Sequence, residues 1–81
     1  MPNIKRSLTL KGHRTSVSLE PAFWDAFRAC AEARGLSLNA LASEIDAARL
    51  TRDSTADNLS GAIRLYILAD LQSRLHEAKA N

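Results

Sequence analysis

The 81-residue sequence is poor in several things that a site of chemistry usually needs. It holds one cysteine, Cys30, so an internal disulfide is excluded, as suits a reducing compartment. Its three glycines are far apart, which leaves no glycine-rich phosphate loop. Only four residues are aromatic: Phe23, Trp24, Phe27 and Tyr66. No long hydrophobic run occurs. The most apolar stretch, residues 62–71, contains Arg64 and Asp70 and is too short to span a bilayer. The first fifteen residues are polar and basic, without the apolar segment of a signal peptide. No nucleophile–base pair or carboxylate dyad stands at a recognisable spacing, and neither His13 nor His76 has a second metal ligand near it in sequence. The sequence therefore gives no reason to expect an enzyme, a metal or a cofactor.

Acidic residues are missing from one end. Residues 1–19 carry Lys5, Arg6, Lys11 and Arg14 and no acid, whereas residues 20–81 carry seven basic and nine acidic side chains. A positive end on a slightly negative body suits a nucleic-acid-binding edge, and equally a solvated basic tail.

The organising stretch is residues 14–19, which alternates like a strand. Thr15, Val17 and Leu19 share one face, and Arg14, Ser16 and Ser18 the other. Residues 4–11 alternate in the opposite phase, with Ile4, Leu8 and Leu10 apolar. The phase flips near Gly12-His13, as a β-bulge there would cause; a tight turn is the rival reading. With the bulge, residues 14–19 have no partner strand in the chain, and a second copy of the same strand supplies one.

Pro21 suits the first position of a helix. Phe23, Ala26, Phe27, Cys30 and Ala31 make its apolar stripe, Trp24 closes the rim, and Gly35 stops it. Ser37 caps a second helix over about 38–50, with Leu38, Leu41, Ala42, Ile45 and Ala48 as its apolar positions. Residues 51–58 read as a polar loop, with Ser54-x-x-Asp57 or Asn58 capping a third helix over about 59–79. Leu59, Ile63, Ile67, Leu71 and Leu75, broadened by Leu65, Tyr66, Leu68 and Ala69, predict that this helix is buried on several sides. Ser60 and Arg64 at its start could anchor DNA or a partner; the favoured reading is structural, a helix start with Arg64 paired to Asp57 or to an acid on another helix. Cys30 reads as a small buried hydrophobe, His13 as a turn residue, and His76 as suiting the C-terminal end of the helix dipole.

Strand, helix, glycine turn and helix over residues 14–50 resemble the ribbon-helix-helix DNA-binding proteins. The stretch Ala31-Glu32-Ala33-Arg34-Gly35-Leu36-Ser37-Leu38-Asn39 is similar to the inter-helix turn of the Arc repressor. A wider resemblance, to a bacterial subfamily with an added C-terminal helix, is carried by Gly12-His13-Arg14-Thr15-Ser16, Leu19-Glu20-Pro21-x-x-Trp24, Leu36-Ser37-Leu38-Asn39-Ala40-Leu41 and Asn58-Leu59-Ser60-x-Ala62-Ile63-Arg64. The resemblance implies a mainly α fold with one short β-strand: an intertwined ribbon-helix-helix homodimer plus a third helix. Its parts would be a basic extended arm (1–13), the core (14–50), and a loop with the third helix (51–81). Val17, Leu19, Phe23, Phe27, Leu41 and Ile45 would form the dimer core.

The function implied is a cytoplasmic, nucleoid-associated repressor whose ribbon enters the major groove of duplex DNA. Arg14, Ser16 and Ser18 would meet bases. Lys5, Arg6 and Lys11, with the helix start at Ser37, Leu38 and Asn39, would meet phosphates. The third helix would enlarge the core and join dimers. An antitoxin of the same fold and a dimeric interaction module without DNA binding are the alternatives.

Overall fold

The computed structural model describes residues 2–51 and 58–80. Two strands come first, β1 (Ile4–Leu10) and β2 (His13–Leu19), followed by α1 (Pro21–Ala33), α2 (Leu38–Thr51) and α3 (Leu59–Ala80).

The strands form an antiparallel hairpin, with Leu10 paired to His13 and Ile4 to Leu19. Lys11 and Gly12 alone connect them, both at positive φ (49° and 83°). Two consecutive positive φ values define the type I′ turn, whose twist matches that of paired strands. This corrects the bulge reading and the expected single strand: the partner of β2 lies in the same chain. The reversed phase follows from the register. Every pair joins an even residue to an odd one, so Leu8 and Leu10 share a face with Val17 and Leu19 only if the apolar parity switches at the turn.

That shared face lies on the helices. Leu8, Leu10, Val17 and Leu19 are buried with Phe27, Leu41, Ala42, Ile45, Ile63 and Ile67 in one core. Trp24 lies deeper than the rim position expected of it, 1% exposed. Its indole N–H donates to the Ile4 carbonyl at 2.8 Å, which ties the start of β1 to α1.

The connection between α1 and α2 has the geometry its glycine predicts. Gly35 sits at φ 66°. The Leu36 N–H donates to the Ala31 carbonyl (2.9 Å) and the Gly35 N–H to Glu32 (3.0 Å), the paired bonds of a Schellman end. Arg34 forms a two-pronged ion pair with Glu44, joining α1 to α2. The Ser37 hydroxyl then caps α2, accepting from the Ala40 N–H at 3.0 Å.

At α3, Asn58 is the cap, its side-chain oxygen accepting from the Gly61 N–H at 2.7 Å. The Ser54-x-x-Asp57 alternative lies outside the described residues. Among the described side chains of this helix, Leu59, Ala62, Ile63 and Ile67 are the buried ones. Leu65, Leu68, Leu71 and Leu75 are about half exposed, and residues 71–79 are exposed throughout, so within the single chain the burial expected on several sides is reached only in the first half of the helix. No helix among the described residues is long and apolar enough to cross a membrane.

Candidate nucleic-acid interface

With one face of the hairpin committed to the core, the other is turned outward. The pairs Lys5–Ser18, Ser7–Ser16 and Thr9–Arg14 occupy it. Five of these side chains are exposed, and Ser18 is half-buried. Every one is a cation or a hydroxyl. Arg14, Ser16 and Ser18 thus stand in one row, as their parity requires, and Lys5 lies across from Ser18 at one end. Sequence reading did not single out Ser7 and Thr9. Their signal was the phase reversal, which in a hairpin places them opposite Ser16 and Arg14.

Both edges of the hairpin are held by the first turn of a helix. In a two-residue hairpin the pair closing the turn is hydrogen-bonded, and bonded pairs alternate from there. His13, Thr15, Val17 and Leu19 therefore spend their backbone groups on β1, while those of Arg14, Ser16 and Ser18 turn to the far edge. There the Ser18 N–H donates to the Ser60 hydroxyl at 3.3 Å, and the Arg64 guanidinium reaches the Ser18 carbonyl at 3.5 Å. Arg64 also pairs with Glu20 at 2.7 Å and lies 5.7 Å from the centre of the Phe23 ring. The ion pair expected of Arg64 forms with Glu20, the residue just before α1; Asp57 lies outside the described residues. On the β1 edge, the Thr9 N–H donates to the Asn39 side-chain oxygen at 3.1 Å.

The other site residues fall around this face. Lys11 is exposed at the hairpin tip beside His13. Arg6 belongs to the opposite face, where its guanidinium lies 5.6 Å from the centre of the Trp24 ring. Ser37, Leu38 and Asn39 form the start of α2, next to Thr9. Helix geometry leaves the Leu38 and Asn39 amides without an intrahelical acceptor. The Asn39 side chain is already engaged with β1, so an anion there would meet backbone amides.

Of the residues expected in a dimer core, Val17, Leu19, Phe27, Leu41 and Ile45 are buried within the single chain, and Phe23 packs half-buried at its margin. Cys30 is buried, with its thiol 3.5 Å from an Asp70 carboxylate oxygen. Burial first, and the Asp70 charge second, push the thiol pKa up, away from nucleophilic use.

The hairpin, basic and free of acids, is carried on a body of three helices. The family model of the ribbon-helix-helix domain matches residues 3–71, and the chain belongs to that family, one of DNA-binding regulators. The match takes in β1 and the buried part of α3. Searches of curated proteins and of solved structures returned no match.

Proposed function

We propose that the protein binds duplex DNA as a transcriptional regulator, with Arg14, Ser16 and Ser18 turned to base edges in the major groove. The observation that carries this reading is the outward face of the hairpin, built from cations and hydroxyls without one acid. Arginine can bond both acceptors of a guanine, and a serine hydroxyl can donate to or accept from any base. Lys5 and Lys11 extend the face toward phosphates. Arg6 reaches them from the rim, and the α2 start at Ser37, Leu38 and Asn39 offers amides to a phosphate beside the ribbon. The proximity of Asn39 to Thr9 supports that last placement.

The reading includes two chains acting together as a repressor on a partly palindromic site. Strand pairing between the chains would use the outer edge of β2. Ser60 and Arg64 already occupy that edge at Ser18, so Arg14 and Ser16 are the positions open to a partner unless α3 shifts.

A second reading, an antitoxin, gains from the exposure of residues 71–79. Leu71 and Leu75 offer a helix face for a protein partner, while DNA stays on the hairpin.

The salt dependence of binding tests the DNA reading. If each chain neutralises about three phosphates, log affinity should fall with log salt at a slope of about −3 per chain bound. A slope near zero would remove DNA from the account and favour an interaction module.

A further inference from the structure

We propose that the outer face of α3, carrying Leu68, Leu71 and Leu75, is a subunit interface, covered by the same three leucines of a second copy of this chain. The inference rests on the two-chain part of the proposed function, and it adds a contact that strand pairing does not include.

Its ground is where α3 lies. Ser60 and Arg64 hold the Ser18 backbone on the outer edge of β2. A chain that pairs at Arg14 and Ser16 therefore comes to lie alongside α3. Arg64 marks the side of the helix that looks along that edge. Leu68, Leu71 and Leu75 follow it at steps of four, three and four residues, which keeps them on the same side. Ile63 and Ile67 face the body instead, and both are buried. A step of four residues overshoots a full turn by about 40°, so the row that starts at Ile63 has turned away from the body by Leu71.

This apolar surface is what strand pairing lacks. Two open strand positions supply backbone hydrogen bonds but little buried area, and a stable interface takes about 1,200 Å² or more. Among the described residues, the large apolar side chains left exposed are Ile4, Leu50, Leu65, Leu68, Leu71 and Leu75. The stripe gathers three of them on one face beside the edge of β2. Their spacing of three and four is that of the apolar seam between two paired helices. A two-fold contact is isologous, so a stripe turned toward the axis meets its own copy. Charge does not oppose the contact. Residues 68–80 carry two acids, Asp70 and Glu77, and two bases, Arg74 and Lys79. Asp70 and Arg74 already pair within the helix at 3.0 Å.

The test is sedimentation equilibrium of the full chain without DNA, with circular dichroism to check that each variant is folded. Wild type should be a dimer. L71E combined with L75E should raise the dimer dissociation constant at least about 100-fold, because the two-fold axis counts each lost leucine twice. L71A combined with L75A adds no charge and favours the helix, and it should raise the constant by a smaller factor. S73E combined with H76E adds the same charge off the stripe and should leave the constant unchanged. A wild-type dimer that the leucine variants leave intact would overturn the inference alone, and would free the stripe for a foreign protein, as the antitoxin reading requires. Equal weakening by S73E/H76E would also overturn it, since charge rather than the stripe would then be acting. A wild-type monomer at micromolar concentration would overturn the two-chain reading beneath it.

Discussion

Arg64 is held on three sides: by the Glu20 carboxylate, by the Ser18 carbonyl and by the ring of Phe23. It closes the end of β2 against α1 and α3, and the charge it carries acts on its partner. Glu20 is held below the ordinary carboxylate pKa, first by the Arg64 hydrogen bond and next by its own backbone amide. Glu44 is held low in the same direction by Arg34. A carboxyl with a lowered folded-state pKa adds stability above its unfolded value, and that stability is lost as pH falls through the folded value. Thermal stability should therefore decline as pH drops below about 4.3. Replacing both acids, E20Q with E44Q, should flatten that decline. An equally steep decline in the double variant would show that these pairs do not carry it.

At the level of elements, the turn decides the architecture. Gly12 at φ 83° has open space around its missing Cβ, so the cost of G12A is confined to the backbone. About 1–2 kcal/mol is expected for an L-residue in that conformation. Lys11 occupies the other left-handed position, where asparagine is preferred. K11N should therefore raise the unfolding midpoint while lowering DNA affinity through the lost cation, a pair of opposite changes that denaturation and binding assays read separately. A fall in stability with K11N would contradict the turn assignment.

The same turn marks where the sequence stopped being legible. The helices were readable because Pro21, Gly35 and Ser37 punctuate them with defined backbone chemistry. Lys-Gly does not announce a hairpin as Asn-Gly or Asp-Gly does, and a phase reversal is common to a bulge and a two-residue loop. The row Arg14, Ser16 and Ser18 followed from parity alone, whereas Ser7 and Thr9 became part of the face only once the register was known. The exposed half of α3 was illegible for a reason of length. Its 22 residues span about 33 Å, while the 13 and 14 residues of α1 and α2 span about 20 Å. The leucines beyond Ile67 are about half exposed, although their spacing continues the buried stripe.

For the whole molecule, the arrangement separates a buried face of the hairpin from an exposed one. The hairpin gives one face to a core shared with three helices and the other to solvent, and the start of a helix fixes each edge. Cations are concentrated where that outer face lies, and acids are confined to residues 20–81. Removing Arg14, Ser16 and Ser18 together should therefore cost binding without unfolding the protein. The most direct measurement is a selection of bound fragments from sheared genomic DNA at about physiological salt, with the wild-type protein and with that triple alanine variant. The account predicts a short, partly palindromic motif that the folded variant no longer enriches. Enrichment of the same motif by both proteins, or of none by either, would contradict recognition of DNA through the outward face of the hairpin.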